Sequence, residues 1–122
     1  MPETKKRILC VDGNENIISM LEDLVEELGY EPRAAGGVDA ALRVARGDII
    51  DLYITENHLT DGTGAELAEK IRELAPDAPI IFYSDDPQRV VVAEARRVGA
   101  QACVSKLDDI GQLAEAVRRL LH

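Results

Sequence analysis

The sequence predicts an α/β fold in which one five-stranded parallel sheet carries helices on both faces. Three observations lead there. Short apolar runs alternate along the whole chain with stretches whose apolar residues fall at helical spacing. The runs ILCV, LYI and IIFY show no polar alternation, the pattern of strands covered on both sides. Turn residues such as Asp12-Gly13-Asn14, Gly36-Gly37 and Gly99 separate the segments. Strands that alternate with helices require right-handed crossovers, and these make the strands parallel.

In chain order, residues 7–11 (RILCV) read as the first strand. Asn14 or Asn16 can cap the helix that follows, with Ile17, Met20, Leu21, Leu24 and Leu28 as its buried stripe and Gly29 as its stop. YEPRAA is a weaker strand, placed at an edge because Pro32 cannot donate to a ladder. Val38, Ala41, Leu42 and Ala45 trace a short second helix ending at Gly47, and DLYIT (51–55) forms the third strand. The segment after it, NHLTDGTG, reads as a glycine-punctuated loop. Leu67, Ala68, Ile71 and Leu74 then mark a helix that stops before Pro76. PIIFYS (79–84) is the fourth strand, and Asp85-Asp86-Pro87 starts the next helix with proline in its first turn. AQACVS is the fifth strand. Asp108 or Asp109 caps a last helix bearing Ile110, Leu113, Ala114, Val117, Leu120 and Leu121. No linker, repeat or low-complexity segment interrupts the series, so residues 1–122 read as a single domain.

Composition narrows the function. With 46% hydrophobic and 30% charged residues the chain has the make-up of an ordinary globular protein. No apolar run approaches a bilayer span, and the ILCV that follows MPETKKR is too short for a signal peptide's apolar region, so a cytoplasmic protein is expected. The net charge of −9 argues against a nucleic-acid surface, which needs clustered Lys and Arg. The pairs Arg43 with Arg46, Arg96 with Arg97 and Arg118 with Arg119 read as solvated helix charge. Cys10 and Cys103 are far apart, lack metal-ligand spacing, and read as small buried hydrophobes.

In an open doubly wound sheet, ligands bind beyond the carboxyl ends of the strands. Strand one ends at Asp12, strand three at Glu56, strand four at Ser84 and strand five at Ser105-Lys106. Two acids, a hydroxyl and a lysine are thus delivered to one rim from four strands. Carboxylates do not crowd without a cation or a task, because like charges raise one another's pKa.

These residues, with ILCVD, ELGYE, DLYITENHLTDGTG, PIIFYS and RRVGAQACVSK, resemble the receiver domain of bacterial two-component response regulators over essentially the whole chain. The resemblance implies a flavodoxin-like (βα)5 fold with strand order 2-1-3-4-5. It implies an aspartate at the end of strand three that accepts a phosphoryl group from a histidine kinase. Two acids after strand one would help hold Mg²⁺, and a Ser/Thr and a Lys would contact the phosphoryl oxygens. The fourth helix, fifth strand and fifth helix would form the face that phosphorylation reshapes.

Carried over residue by residue, Asp12 matches the first acid, Ser84 the hydroxyl and Lys106 the lysine. Position 56 holds glutamate in place of the phosphoacceptor aspartate, and position 13 holds glycine in place of the second acid. The extra methylene moves the carboxylate outward by about 1–1.5 Å, and a misplacement of about 1 Å can cost on the order of a hundredfold in a reaction that depends on positioning. Gly13 offers no ligand, which disfavours Mg²⁺; Asp12 and Glu56 would hold it only if it bound at all. No cofactor is expected. Asp12, Glu56 and Lys106 leave about one excess negative charge, so Glu56 is expected to reach toward Lys106 or Ser84 and stand in for a phosphorylated aspartate.

Other landmarks also depart from the family. Leu107 replaces the proline that usually follows the lysine, Cys103 occupies the aromatic switch position, and His58-Leu59-Thr60 lacks a common loop proline, with His58 read as solvent-facing. On the fourth helix Val90, Val91, Val92, Ala93 and Ala95 spread apolar surface widely, so Val90, Val92 and Cys103 are candidates for a partner face, with Asp77, Asp85, Asp86, Asp108 and Asp109 around it. The expected function is that of a non-enzymatic signalling module, phosphorylation-independent, binding a protein partner or a linked output domain. A histidine kinase is a candidate partner and a homodimer through the fourth and fifth helices an option; nucleic acid and membrane are not expected. One alternative is a working receiver that is phosphorylated on Glu56 or another loop acid such as Asp61, with Mg²⁺. The remote alternative is a flavodoxin-like binder of a small ligand.

Overall fold

The structure, a computed structural model, describes residues 4–121; residues 1–3 of the MPETKKR stretch and His122 lie outside them. The elements run β1 (Arg7–Val11), α1 (Glu15–Glu27), β2 (Glu31–Ala35), α2 (Val38–Gly47), β3 (Leu52–Thr55), β4 (His58–Leu59), β5 (Gly62–Thr63), α3 (Gly64–Leu74), β6 (Ile80–Ser84), α4 (Gln88–Arg97), β7 (Ala102–Ser105) and α5 (Ile110–Leu120). The main sheet is parallel with order β2-β1-β3-β6-β7, which is the expected 2-1-3-4-5 once the small β4–β5 hairpin is set aside. Pro32 lies in edge strand β2, where its missing N–H costs no ladder bond.

Alternate residues of each central strand feed two separate cores, and this explains the absence of polar alternation. Leu9, Val11, Tyr53, Ile80 and Phe82 pack with α2, α3 and α4. Ile8, Cys10, Leu52, Ile54, Ile81 and Tyr83 pack with α1 and α5. Every one of these side chains is at most 4% exposed, so sliding a strand by one residue would exchange two unlike cores. Register is therefore strongly specified, and the strand ends are placed with it.

The helix ends follow local chemistry. Asn14, not Asn16, caps α1, its side chain accepting from the Asn16 and Ile17 N–H groups. Gly29 (φ 92°) and Gly99 (φ 72°) end α1 and α4 in the left-handed conformation, with the next residue's N–H bonded back to Val25 and Ala95. Asp109 caps α5 by accepting from Gly111 N–H.

Two expectations need correction. The segment after Glu56 is not simply a loop: His58–Leu59 and Gly62–Thr63 pair antiparallel around Thr60-Asp61. Helix α4 starts only at Gln88, with Pro87 at its cap, which frees Asp85 and Asp86 to stay in the loop above β6. Cys10 is buried, its thiol pushed up to about 12 by burial and then by Glu22, while Cys103 is half-buried; both are free. No helix among the described residues is long and apolar enough to cross a membrane.

Candidate functional site

The sheet ladder continues one residue past the strands at the carboxyl rim. Asp12 N–H donates to Ala35 carbonyl (3.1 Å), Glu56 N–H to Val11 carbonyl (3.0 Å) and Lys106 N–H to Ser84 carbonyl (2.8 Å). The main chain thereby fixes where each of these side chains begins. Asp12, Glu56 and Ser84 are 5%, 6% and 2% exposed.

Lys106 lies between the two acids. Its Nζ is 2.6 Å from Asp12 Oδ2 and 2.6 Å from Glu56 Oε2. The contact with Asp12 is a directed hydrogen bond; that with Glu56 is an ion pair, and Oε2 has no hydrogen bond of its own. The other oxygen, Glu56 Oε1, accepts from Ser84 Oγ (2.7 Å), Asn57 N–H (2.8 Å) and His58 N–H (3.3 Å). Asp12 Oδ1 accepts from Asn14 N–H (2.9 Å). The ammonium also stands 5.9 Å from the centre of the Tyr83 ring, within cation–π range. The longer acid thus reaches both expected partners, one with each oxygen.

Burial alone would push the Glu56 carboxyl up. Lys106, Ser84 and the Asn57 N–H outweigh burial and hold the carboxyl below the ordinary carboxylate range. Burial likewise opposes the charge on Lys106, but Asp12 and Glu56 outweigh it and hold the ammonium pKa above that of a free lysine. Both groups are therefore held in their charged forms, and each contributes to the charge of the other.

The charge balance drawn from the sequence is incomplete. Carboxylate oxygens of Glu56, Asp85 and Asp86 lie within 4.8 Å of one another, so two further acids join the rim. Asp86 Oδ2 is engaged by His58 Nε2 (3.0 Å) and Asn57 Nδ2 (3.4 Å). His58, although exposed, therefore has a partner. An open cleft of about 790 Å³ lies above these groups, lined by Asp12, Glu15, Glu56, His58, Asp85 and Lys106 among others.

The resemblance implies Mg²⁺, which demands a near-octahedral set of oxygens. Both oxygens of Asp12 and both of Glu56 are already committed, to Lys106, to Ser84 and to backbone N–H groups. Gly13 adds no ligand, and Asp86 is held by His58 and Asn57. Asp12, position 13 and Glu56 therefore do not fit the ion as the resemblance places it, whereas Glu56, Asp85 and Asp86 bring carboxylate oxygens close enough together to share a cation. The backbone is not what excludes an acid at 13, since a Cβ there would meet nothing closer than Gly36 carbonyl oxygen at 3.8 Å.

Helix α3 seats the Glu56 main chain from the other side. A Cβ on Gly64 would stand 2.5 Å from Glu56 carbonyl oxygen and 3.2 Å from the Phe82 ring. Gly64→Ala is expected to cost about 2 kcal/mol through displacement of this backbone contact. A lowered urea midpoint with an unchanged slope checks it, and an unaltered midpoint would refute the close seating.

The remaining candidates lie elsewhere. Val91 and Ala95 of α4 turn into the core, leaving Val90 (48% exposed) and Ala93 outside and Val92 half-buried. Cys103 pairs with Phe82 across the sheet and packs against the α2–α3–α4 core, with its thiol pushed up by burial. Arg97 is not merely solvated, for it pairs with Glu69 (2.6 Å) and Glu94 (2.8 Å).

Comparison with known proteins gives the family and the fold. The response regulator receiver domain family matches residues 8–118. Response regulator protein PilR of Pseudomonas aeruginosa is 26% identical over 119 residues, covering 98% of this chain but only 27% of its own length. Chemotaxis protein CheY of Thermotoga maritima is 29% identical over 119 residues, covering 94% of this chain and 97% of its own. The chain thus spans about a quarter of one relative and nearly all of the other. The crystal structure of a CheY-like receiver domain protein from Methanospirillum hungatei superposes with a TM-score of 0.88 at 26% identity, covering 95% of this chain and 93% of that one. A match across nearly the whole sheet-and-helix series, on a rim that brings acid, hydroxyl and lysine together, places the chain in the response regulator receiver domain family.

Proposed function

We propose that this receiver domain works without phosphorylation, with Glu56 standing permanently where a phosphorylated aspartate would otherwise be formed. One observation carries the reading: the two oxygens of Glu56 already engage the lysine and the hydroxyl that would contact a phosphoryl group, Lys106 at 2.6 Å and Ser84 at 2.7 Å. A carboxylate held by both has no free oxygen aimed at a donor. The domain then signals by presenting a fixed surface to a protein partner or a linked output domain, and it is no enzyme. A histidine kinase, on this reading, can bind it but not load it. The alternative acceptor Asp61 is less suited, because its carboxylate caps α2. The site's negative charge and its commitments also speak against a small phosphorylated ligand.

The test is incubation of the whole chain with acetyl phosphate and Mg²⁺, followed by intact-mass and peptide mapping. No phosphoryl adduct is expected, and beryllofluoride with Mg²⁺ should leave the amide spectrum unchanged. Stoichiometric labelling at Glu56 would end this reading.

A further inference from the structure

Helix α2 begins behind a residue that cannot cap it. Gly37 precedes Val38 and has no side chain to accept the first N–H groups, which a helix start leaves without partners. The missing cap arrives from the tip of the β4–β5 hairpin. Asp61 Oδ1 accepts from Val38 N–H at 2.7 Å and Oδ2 from Asp39 N–H at 3.1 Å. A carboxylate at a helix start is also favoured by the helix dipole. The two N–H groups hold the Asp61 carboxyl below its ordinary value. A Cβ on Gly37 would lie 2.6 Å from Asp61 Oδ1, so the space of a local cap is taken by the distant one. Beside it Gly62 (φ 154°) comes close enough to Val38 that a Cβ would stand 3.1 Å from its Cγ2.

The same short segment meets Glu56 at its base. Asn57 and His58 N–H groups donate to Glu56 Oε1, His58 opens β4, and Asp61 closes the turn between β4 and β5. The hairpin therefore has its tip on α2 and its base on the carboxylate. We propose that Asp61 is a positioning residue for Glu56: by capping α2 from across the chain, it pins the hairpin so that the Asn57 and His58 N–H groups face Oε1. Its meaning for signalling rests on the reading of Glu56 given above, but the contact itself does not.

The test separates pinning from helix stability. In Asp61→Ala the cap and the pin are both lost. In Asp61→Ala with Gly37→Ser, a local cap is returned to α2 while the hairpin stays unpinned. Gly37 has extended φ and ψ (−165°, −172°), which serine at a cap position adopts, and removing the Asp61 carboxylate opens the room for its side chain. Amide hydrogen exchange on the whole chain is the readout, with the Lys106 ammonium ¹⁵N signal as a second. The Asn57 and His58 amides are expected to exchange about tenfold faster in Asp61→Ala and to stay fast in the double variant. The first-turn amides of α2 and the urea midpoint should return to wild type in the double variant, and the Lys106 signal should shift in both. Unchanged Asn57 and His58 exchange in Asp61→Ala, or its full return in the double variant, would overturn the positioning role. Phosphoryl labelling of wild-type Glu56 would instead remove the functional reading and leave this exchange result standing.

Discussion

Lys106→Met is expected to cost about 3 kcal/mol and to invert the pH dependence of stability. Removing one member of a buried ion cluster leaves the others charged and uncompensated, a loss of about 3–5 kcal/mol. The lower end applies here because the Lys106 side chain is 13% exposed. In the wild type the Glu56 carboxyl titrates below its ordinary value of 4.5, so its contribution is present above about that pH and is lost in more acid solution. Lys106 titrates above 10.5, so its contribution is present below that pH and fades as the solution becomes more alkaline. Stability from this cluster should rise from acid toward neutral pH. In the variant that lysine is gone, and burial, the largest influence opposing the charge of Glu56, is expected to outweigh the remaining Ser84 and Asn57 hydrogen bonds and to raise its carboxyl above the ordinary value. The folded state then binds more protons than the unfolded one, and stability falls from acid toward neutral pH. Urea midpoints across the acid-to-neutral range for both proteins check this. Parallel profiles would show that Lys106 does not hold the Glu56 charge.

Much of this site was legible because the sheet makes it so. Asp12, Glu56 and Ser84 close apolar runs, and the two-sided burial that forbids alternation also forbids a register slip, so rim positions can be counted from the sequence. Lys106 follows from the same count on β7. What escaped depends on contacts that leave no local pattern. Asp85 and Asp86 next to Pro87 read as a helix start, yet the helix begins at Gln88 and the acids turn toward Glu56. Strands of two residues, as in β4 and β5, are too short to show periodicity. The Asp61 cap acts over 23 residues, and its one sequence signal was a deficiency: Gly37 stands where Ser, Thr, Asp or Asn would ordinarily begin a helix. His58 looked idle for the same reason, since its partner Asp86 is far away in sequence.

Glu56→Asp combined with Gly13→Asp is expected to raise the rim's capacity to accept a phosphoryl group. Shortening the acid by one methylene withdraws its carboxylate by about 1–1.5 Å, which is the scale at which a positioned reaction changes by on the order of a hundredfold. It also removes the reach by which position 56 now holds both Lys106 and Ser84, leaving those two groups free for an incoming phosphoryl oxygen. Gly13→Asp returns the second acid where the backbone has room for it, with only the Gly36 carbonyl near its Cβ. One further carboxylate against the same single lysine then favours a divalent cation, which the present commitments of Asp12 and Glu56 do not. Labelling by acetyl phosphate with Mg²⁺ should rise at least about a hundredfold over the parent chain, with each single variant well below the double, because positioning and charge neutralisation act on the same transfer. A parent chain labelled as fast as the double variant would mean that the glutamate was never the obstacle. A folded double variant that binds Mg²⁺ and still stays unlabelled would place the obstacle outside positions 13 and 56, in the loop that Asp61 pins.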